Sequence, residues 1–334
     1  MYTVDSYALA VVFCVITMLG WGSWANTLKM TPKTWPFPLY YWDYSIGLVL
    51  TALIFGLSLG SSGSAGRSFI ADLTQADAGS LGLAFLGGVI FNISNLLIVA
   101  ATAIAGLAVA FPLAVGLALV IGVVVNYLAT PLGNPVLLFM GLLLVVLAIV
   151  VDAMAYRRLP TSGSSEKTKG IVISILSGIL MGFFYRFVAA SMATDYINPA
   201  AGLLTPYSAV FVFTIGIFIS NFLFNSFFMY RPVTGEAVGY SDYFSRGNAR
   251  LHLIGILGGL IWCTGMMFNL IAAEQAGFAI SYGLGQGATM VSAAWGVFVW
   301  KEFASAPKGT NKLLAAMFAL FIVGLVMIIA ARLN

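Results

Sequence analysis

Two stretches of the chain read as copies of each other, and they constrain every other reading. Residues 87–127 run GGVIFNISNLLIVAATAIAGLAVAFPLAVGLALVIGVVVNY, and residues 258–298 run GGLIWCTGMMFNLIAAEQAGFAISYGLGQGATMVSAAWGVF. They align without a gap, placing Gly87 on Gly258, Gly106 on Gly277, Ala108 on Ala279, Leu113 on Leu284, Gly116 on Gly287 and Val120 on Val291. Each copy is long enough for two apolar helices, joined at a matched Ala-Gly-x-Ala turn (Ala105 to Ala108, Ala276 to Ala279). Gly- and Ala-rich helices resemble one another by composition, but composition alone does not hold a register through a turn.

The surroundings of these copies set the solvent. The chain is 61% hydrophobic and 8% charged, against about 25% charged in soluble domains. Too few charges remain to cover a water-facing surface, so the outer face meets lipid. At roughly 20 residues per span, the apolar runs predict ten helices: 7–28, 40–60, 80–103, 107–128, 135–156, 170–193, 206–229, 251–273, 278–300 and 312–332. The first run has Asp5 and no basic residue before it, and holds Trp21 and Trp24, so it reads as a retained helix. The fold class expected is all-α integral membrane. A first five-helix repeat over 1–156 and a second over 170–334 are joined by a short linker, 157–169. Because five is odd, the second repeat enters the membrane inverted.

Basic residues orient the chain. Lys29, Lys33, Arg157, Arg158, Lys167, Lys169, Arg231, Arg246, Arg250, Lys301, Lys308 and Lys312 fall in alternate connections; Arg67 and Arg332 fall on the other side. The positive-inside rule puts the twelve in the cytoplasm and both termini outside, in a multi-pass plasma (inner) membrane protein. In such a chain the net charge of +4 reports topology and not nucleic-acid binding. No phosphate-binding loop is present and no loop has room for an ATPase domain, so a driving force comes from a gradient. Cys14 and Cys263 lie in apolar runs, and His252 opens a span; no metal ligand set, catalytic constellation or cofactor is expected.

Polar residues inside the spans mark the candidate site. Asn92 and Asn95 share a face of the third span, Tyr282 and Gln286 a face of the ninth, and Asn269 lies in the eighth. Trp21, Trp24 and Asn26 cluster in the inner half of the first, and Tyr185 adjoins Arg186 in the sixth. Aromatic walls with amides suit a flat, polar solute, stacked on its faces and hydrogen-bonded at its edge; singly, such amides are also ordinary glue between helices. Arg186 reads either as a solute-orienting group or as a charge snorkelling to the outer headgroups. Two carboxylates are coupling candidates. Asp43 either carries a proton or pairs with Lys29 or Lys33, and Glu274 lies at the outer hairpin within possible reach of Arg186. Asp152 and the Lys301/Glu302 pair read as solvated helix ends. Pro112, and Gly283 at the matched place, mark possible helix breaks.

These residues resemble the drug/metabolite transporter superfamily, and within it plant ureide permeases and their bacterial relatives. The resemblance is carried by Gly22-Ser23-Trp24, Asp43-Tyr44-Ser45-Ile46, Gly87-Gly88 with Asn95, Gly106-Leu107 with Val109, and Asn126-Tyr127. In the second half it is carried by Tyr230, Pro232 and Val233, Gln275-Ala276-Gly277, Gln286, Trp295-Gly296 and Glu302. It implies a ten-helix inverted fold and secondary transport of a small ureide, nucleobase or nucleoside-like solute, with protons as co-substrate. Glucose/ribose-type sugar porters are similar in architecture, and a sugar porter or a drug/metabolite exporter remains the alternative. The central loop departs from the plant pattern, being only the 157–169 stretch. Arg186 matches no family motif. Oligomeric state does not follow from the sequence.

Overall fold

The computed structural model describes residues 1–159, 167–233 and 235–333. The linker placed at 157–169 therefore lies largely outside them. The described residues form fifteen α-helices and no sheet. In chain order they are α1 (Tyr7–Ser23), α2 (Ala25–Lys29), α3 (Phe37–Leu57), α4 (Phe69–Gln75), α5 (Ala78–Ala105), α6 (Leu107–Ala129), α7 (Pro135–Tyr156) and α8 (Lys167–Ala190). There follow α9 (Pro206–Asn221), α10 (Phe224–Tyr230), α11 (Tyr240–Arg246), α12 (Ala249–Ala276), α13 (Phe278–Gly285), α14 (Ala288–Ala294) and α15 (Thr310–Ala330). A π-helical turn, Trp295–Val299, extends α14.

Among the described residues nine helices are long and apolar enough to cross a membrane. They correspond to nine of the ten expected spans, with α1 running on through α2 and α9 through α10. The expected span 278–300 is the exception. It is helical in three pieces, interrupted at Gln286–Gly287 and again where the π turn begins. Its aligned partner α6 stays continuous through Pro112. A proline costs the helix one hydrogen bond and a clash with the preceding turn, yet here the break falls on a glycine-rich stretch instead.

Local chemistry sets the helix ends. Asp77 caps α5 through the Ser80 N–H at 2.6 Å, Asn134 caps α7, and Asn248 caps α12 through the Leu251 N–H at 3.1 Å. Proline opens α7 and α9 at N1. Both 28-residue helices, α5 and α12, stop at a glycine in a conformation few other residues adopt: Gly106 at φ 82, ψ 153 and Gly277 at φ 84, ψ 148. Their ends match in the register of the aligned copies, Ala78 with Ala249 and Ala105 with Ala276.

Packing relies on absent side chains. α5 packs on α8 and α9, while α12 packs on α1 and α3; α6 lies against α8, α14 against α1, and α7 against α15. At Gly88 a methyl group would run into the Phe213 carbonyl of α9, and at Gly259 into the Tyr44 carbonyl of α3. In lipid, where apolar burial between helices gains little, such close backbone approach supplies the dispersion contacts that hold helices together.

Candidate functional site

The interior of the bundle holds a cavity of about 390 Å3. Its walls come from both halves: Trp21 and Trp24 of α1, Phe91 and Asn95 of α5, Val115 and Ala118 of α6, Ser177 and Phe184 of α8, Trp262 of α12, and Gln286 with Thr289 at the α13–α14 interruption. Trp21 and Trp262 stack, 5.6 Å between centroids and 15° between planes, and Phe91 lies 4.5 Å from Trp262. Asn95 donates to the Tyr41 hydroxyl at 3.1 Å, which fixes the amide at the wall. Gln286 sits where the helix is broken, beside the Tyr282 hydroxyl.

The cavity reaches from mid-bundle toward the face that carries most of the basic residues, where Lys29 lines its rim. Lys29 is the one charged residue among the described lining, and Glu302 holds it at 2.6 Å. Glu302 also accepts from the Tyr156 hydroxyl at 3.0 Å, so it is a tie between helices and not a freely solvated end. Asp152 departs from expectation too, since one of its oxygens is buried and unpartnered. A second cavity of about 490 Å3 adjoins the first, sharing Phe37 and Val99, and is rimmed by Lys33, Glu236 and Arg246. Toward the opposite face the bundle is closed. Tyr185 donates to Asn269 Oδ1 at 2.6 Å and lies 3.0 Å from the Ser281 hydroxyl, and the Asn269 amide donates to the Ser281 carbonyl at 2.8 Å.

Of the residues singled out from sequence, the structure brings Trp21, Trp24, Asn95 and Gln286 to the cavity. Tyr185, Asn269 and Tyr282 lie in the closed packing behind it, Tyr282 donating to the Ala118 carbonyl at 3.2 Å. Asn92 faces α9, donating to Ser220 Oγ at 2.8 Å and the Ile217 carbonyl at 3.2 Å, which is helix glue. Asn26 is drawn to the basic face, where it accepts from Trp300 Nε1 at 2.6 Å. Arg186 is away from the cavity. It continues the stripe Val172, Leu176, Ile179 and Phe183, all exposed on the outer surface of α8. It makes no ion pair with Glu274, whose carboxylate instead accepts from the Tyr196 N–H at 2.6 Å. Asp43 is buried and pairs with neither Lys29 nor Lys33. His252 Nδ1 lies 2.9 and 3.1 Å from its two oxygens, and the Tyr243 hydroxyl donates to it. Burial and that hydrogen bond push the Tyr243 phenol up from its ordinary value.

Sequence reading missed Trp262, Phe91, Ser177 and Thr289 as cavity residues and His252 as the partner of Asp43. The signal for the first two was in the alignment: Phe91 and Trp262 occupy the same place in the two copies, as do Val115 and Gln286, and Ala118 and Thr289.

Comparison with known proteins decides the lineage. The ureide permease family model matches residues 40–159 and 157–331, nearly the whole chain. The chain belongs to the ureide permease family. This permease is thus a multi-pass membrane transporter. It is 24% identical to ureide permease 1 of Arabidopsis thaliana over 99% of both chains, 24% identical to ureide permease 2 and 25% to ureide permease 4 of the same plant. A solved crystal structure, titled only as that of a protein, shares its fold. That structure superposes with a TM-score of 0.60 at 18% identity, over 98% of the permease and 99% of its own chain.

Proposed function

We propose that the permease imports a small, neutral, nitrogen-rich solute of the ureide or nucleobase type across the plasma membrane by alternating access, coupled to protons. The observation that carries this reading is the chemistry of the cavity. Asn95 and Gln286 supply donors and acceptors from opposite halves of the chain, Trp21 and Trp262 supply a stacking wall, and Lys29 is neutralised by Glu302. A planar solute with alternating N–H and C=O groups satisfies amides that a sugar's hydroxyls or a cationic drug would match less well. The names of the Arabidopsis relatives point to the same solute class.

Two inverted repeats, 1–156 and 170–334, underlie the mechanism. Exchanging the halves turns each packing partnership into another: α5 on α8 becomes α12 on α1, and α5 on α9 becomes α12 on α3. The matched Gly106 and Gly277 turns support the same relation. The interrupted 278–299 segment, ninth in chain order, then brings the crossings to ten, and a broken helix at mid-membrane is where transporters of this construction bind solute. With the basic face in the cytoplasm and both termini outside, the cavity is open inward and closed outward by the Tyr185–Asn269–Ser281 cluster.

Thermal stabilisation of the purified permease tests the solute class, since a ligand that binds the folded state raises its apparent stability. Allantoin or uracil is expected to stabilise the wild type and to lose that effect in Gln286→Ala. Stabilisation by hexoses or pentoses alone overturns the reading in favour of a sugar porter, and by cationic dyes alone in favour of an exporter.

A further inference from the structure

Asp43 is a carboxylate sealed inside a membrane-crossing helix, 1% exposed. A charge in that position is costly, and where one is kept it marks an ion or proton path more often than a structural pair. Among the described residues no lysine or arginine pairs with it: Lys29 is held by Glu302 and Arg246 by Asp242. The titratable groups that face it are Tyr40 on α3 itself, His252 on α12 and Tyr243 on α11. Glycines make the room. A methyl at Gly255 would strike the Asp43 side chain and one at Gly247 the His252 ring. Trp35, buried, closes the site edge-on to His252 at 5.4 Å and tilted on Tyr243 at 5.8 Å.

We propose that Asp43 and His252 form the binding site of the coupling proton, and that Tyr243 transmits its occupancy to α11 at the mouth of the second cavity. The proposal rests on the proton-coupled import argued above. The His252 side chain is 28% exposed and Asp43 is not, so water reaches the imidazole first. A proton from the basic face adds to Nε2, the Nδ1 proton passes to an Asp43 oxygen, and a neutral imidazole and a neutral carboxyl result. Tyr243 donates to Asp43 and, in its Nδ1–H tautomer, His252 donates to it as well, which is the bonding of an ionised carboxylate with its proton released. Protonation weakens the acceptor that Tyr243 uses, because a neutral carboxyl accepts a hydrogen bond less strongly than an ionised one. Tyr243 lies on α11, a helix outside the bundle whose Arg246 rims the second cavity, so weakening of that bond loosens the wall by which the solute leaves.

Two readouts separate the proton site from the solute class. Trp35 fluorescence, taken as the difference between wild type and Trp35→Phe, is titrated with pH in the absence of solute. One transition is expected in the wild type, displaced in Asp43→Asn and lost in His252→Gln. A flat or unaltered titration overturns the site whatever the transport result. Proteoliposomes then compare allantoin accumulation under an imposed pH gradient with exchange at equal pH. Asp43→Asn is expected to lose accumulation above equilibrium while exchange persists at a reduced rate. Accumulation that survives in Asp43→Asn and His252→Gln overturns the proposal. A wild type that titrates normally but moves neither allantoin nor uracil sinks the solute reading and leaves the proton site standing.

Discussion

Gly20 is where a single methyl group tests the architecture of the cavity. It lies on α1 one residue before Trp21, and a Cβ there would stand 2.7 Å from the Ile261 carbonyl oxygen and 3.2 Å from Gly265 Cα, both on α12. Ordinary carbon–oxygen contact begins near ~3.4 Å, so Gly20→Ala must separate α1 from α12 by roughly 0.7 Å or bend one of them. Overpacking of this kind costs about 1–3 kcal/mol, and replacing a mid-helix glycine returns about 0.5–1 kcal/mol. At the midpoints of these ranges the net expectation is a loss of about 1 kcal/mol, which lowers the unfolding midpoint by roughly 2–4 °C. The same displacement slides Trp21 along Trp262, so solute affinity falls with stability. Gly116→Ala on α6 is the control, since a Cβ there meets nothing within 4 Å. It is expected to leave stability the same or raise it by up to about 1 kcal/mol. Thermal unfolding of both variants in detergent reads the difference. A Gly20→Ala protein as stable as the wild type would refute the close crossing of α1 and α12.

Four other outcomes follow from the same geometry. Asn95→Ala and Gln286→Ala each remove one neutral hydrogen-bonding amide, and solute affinity by equilibrium binding should fall about 3- to 10-fold for each. Arg186→Ala, on the outer stripe of α8, should leave uptake within about twofold of wild type; loss of binding would place the guanidinium in the solute path after all. Asp72, buried on α4, accepts from Arg67 Nε at 2.8 Å and from the Thr205 N–H and hydroxyl at 2.7 and 2.9 Å, so Asp72→Ala should cost about 3–5 kcal/mol in unfolding experiments by stranding those donors. The Asp77 carboxyl is held below its ordinary 3.8 by the Ser80 N–H at the start of α5. Its folded value is depressed, so its capping contribution is present above pH ~4 and lost as pH falls through that folded value. Asp77→Asn should flatten this part of the acid stability profile.

Much of this was legible in the sequence because lipid leaves the backbone few choices. A chain with no water to bond must satisfy its amides within helices, so apolar runs translated into helices almost one for one. The apolar runs placed α5 and α12 to within two or three residues at each end, whereas the break expected at Pro112 or Gly283 falls instead at Gln286–Gly287. Facing was harder to read. In a soluble helix the polar stripe shows which side meets solvent, whereas α8 turns a largely apolar face to lipid. Only small residues, Ser174, Ser177, Gly178 and Gly182, set its buried face apart from the exposed Val172, Leu176, Ile179 and Phe183, and Arg186 was weighed as a binding residue. Asn92 and Asn95 look alike in the chain, yet only Asn95 lies at the cavity, because Asn92 turns toward α9. The partner of Asp43 escaped for a different reason. Neighbouring lysines suggested themselves, while the histidine that meets it is brought in by the crossing of α3 and α12.

That crossing also bears on how the protein is made. Of the nine apolar helices α3 is the least so, with a mean hydropathy of 1.2, and about two-thirds of it is covered by other helices in the finished bundle. Asp43 leaves the ribosome 209 residues before His252. At about 5–20 residues per second the wait is roughly 10–40 s. Throughout that interval α3 must rest in the membrane or its insertion machinery with an uncovered carboxylate and with Gly47 bare of its α12 contact. Insertion of α3 is therefore a reversible commitment, sealed only when α12 arrives, and a ribosome halted in the second half leaves a nascent chain whose earliest defect lies in its first fifty residues.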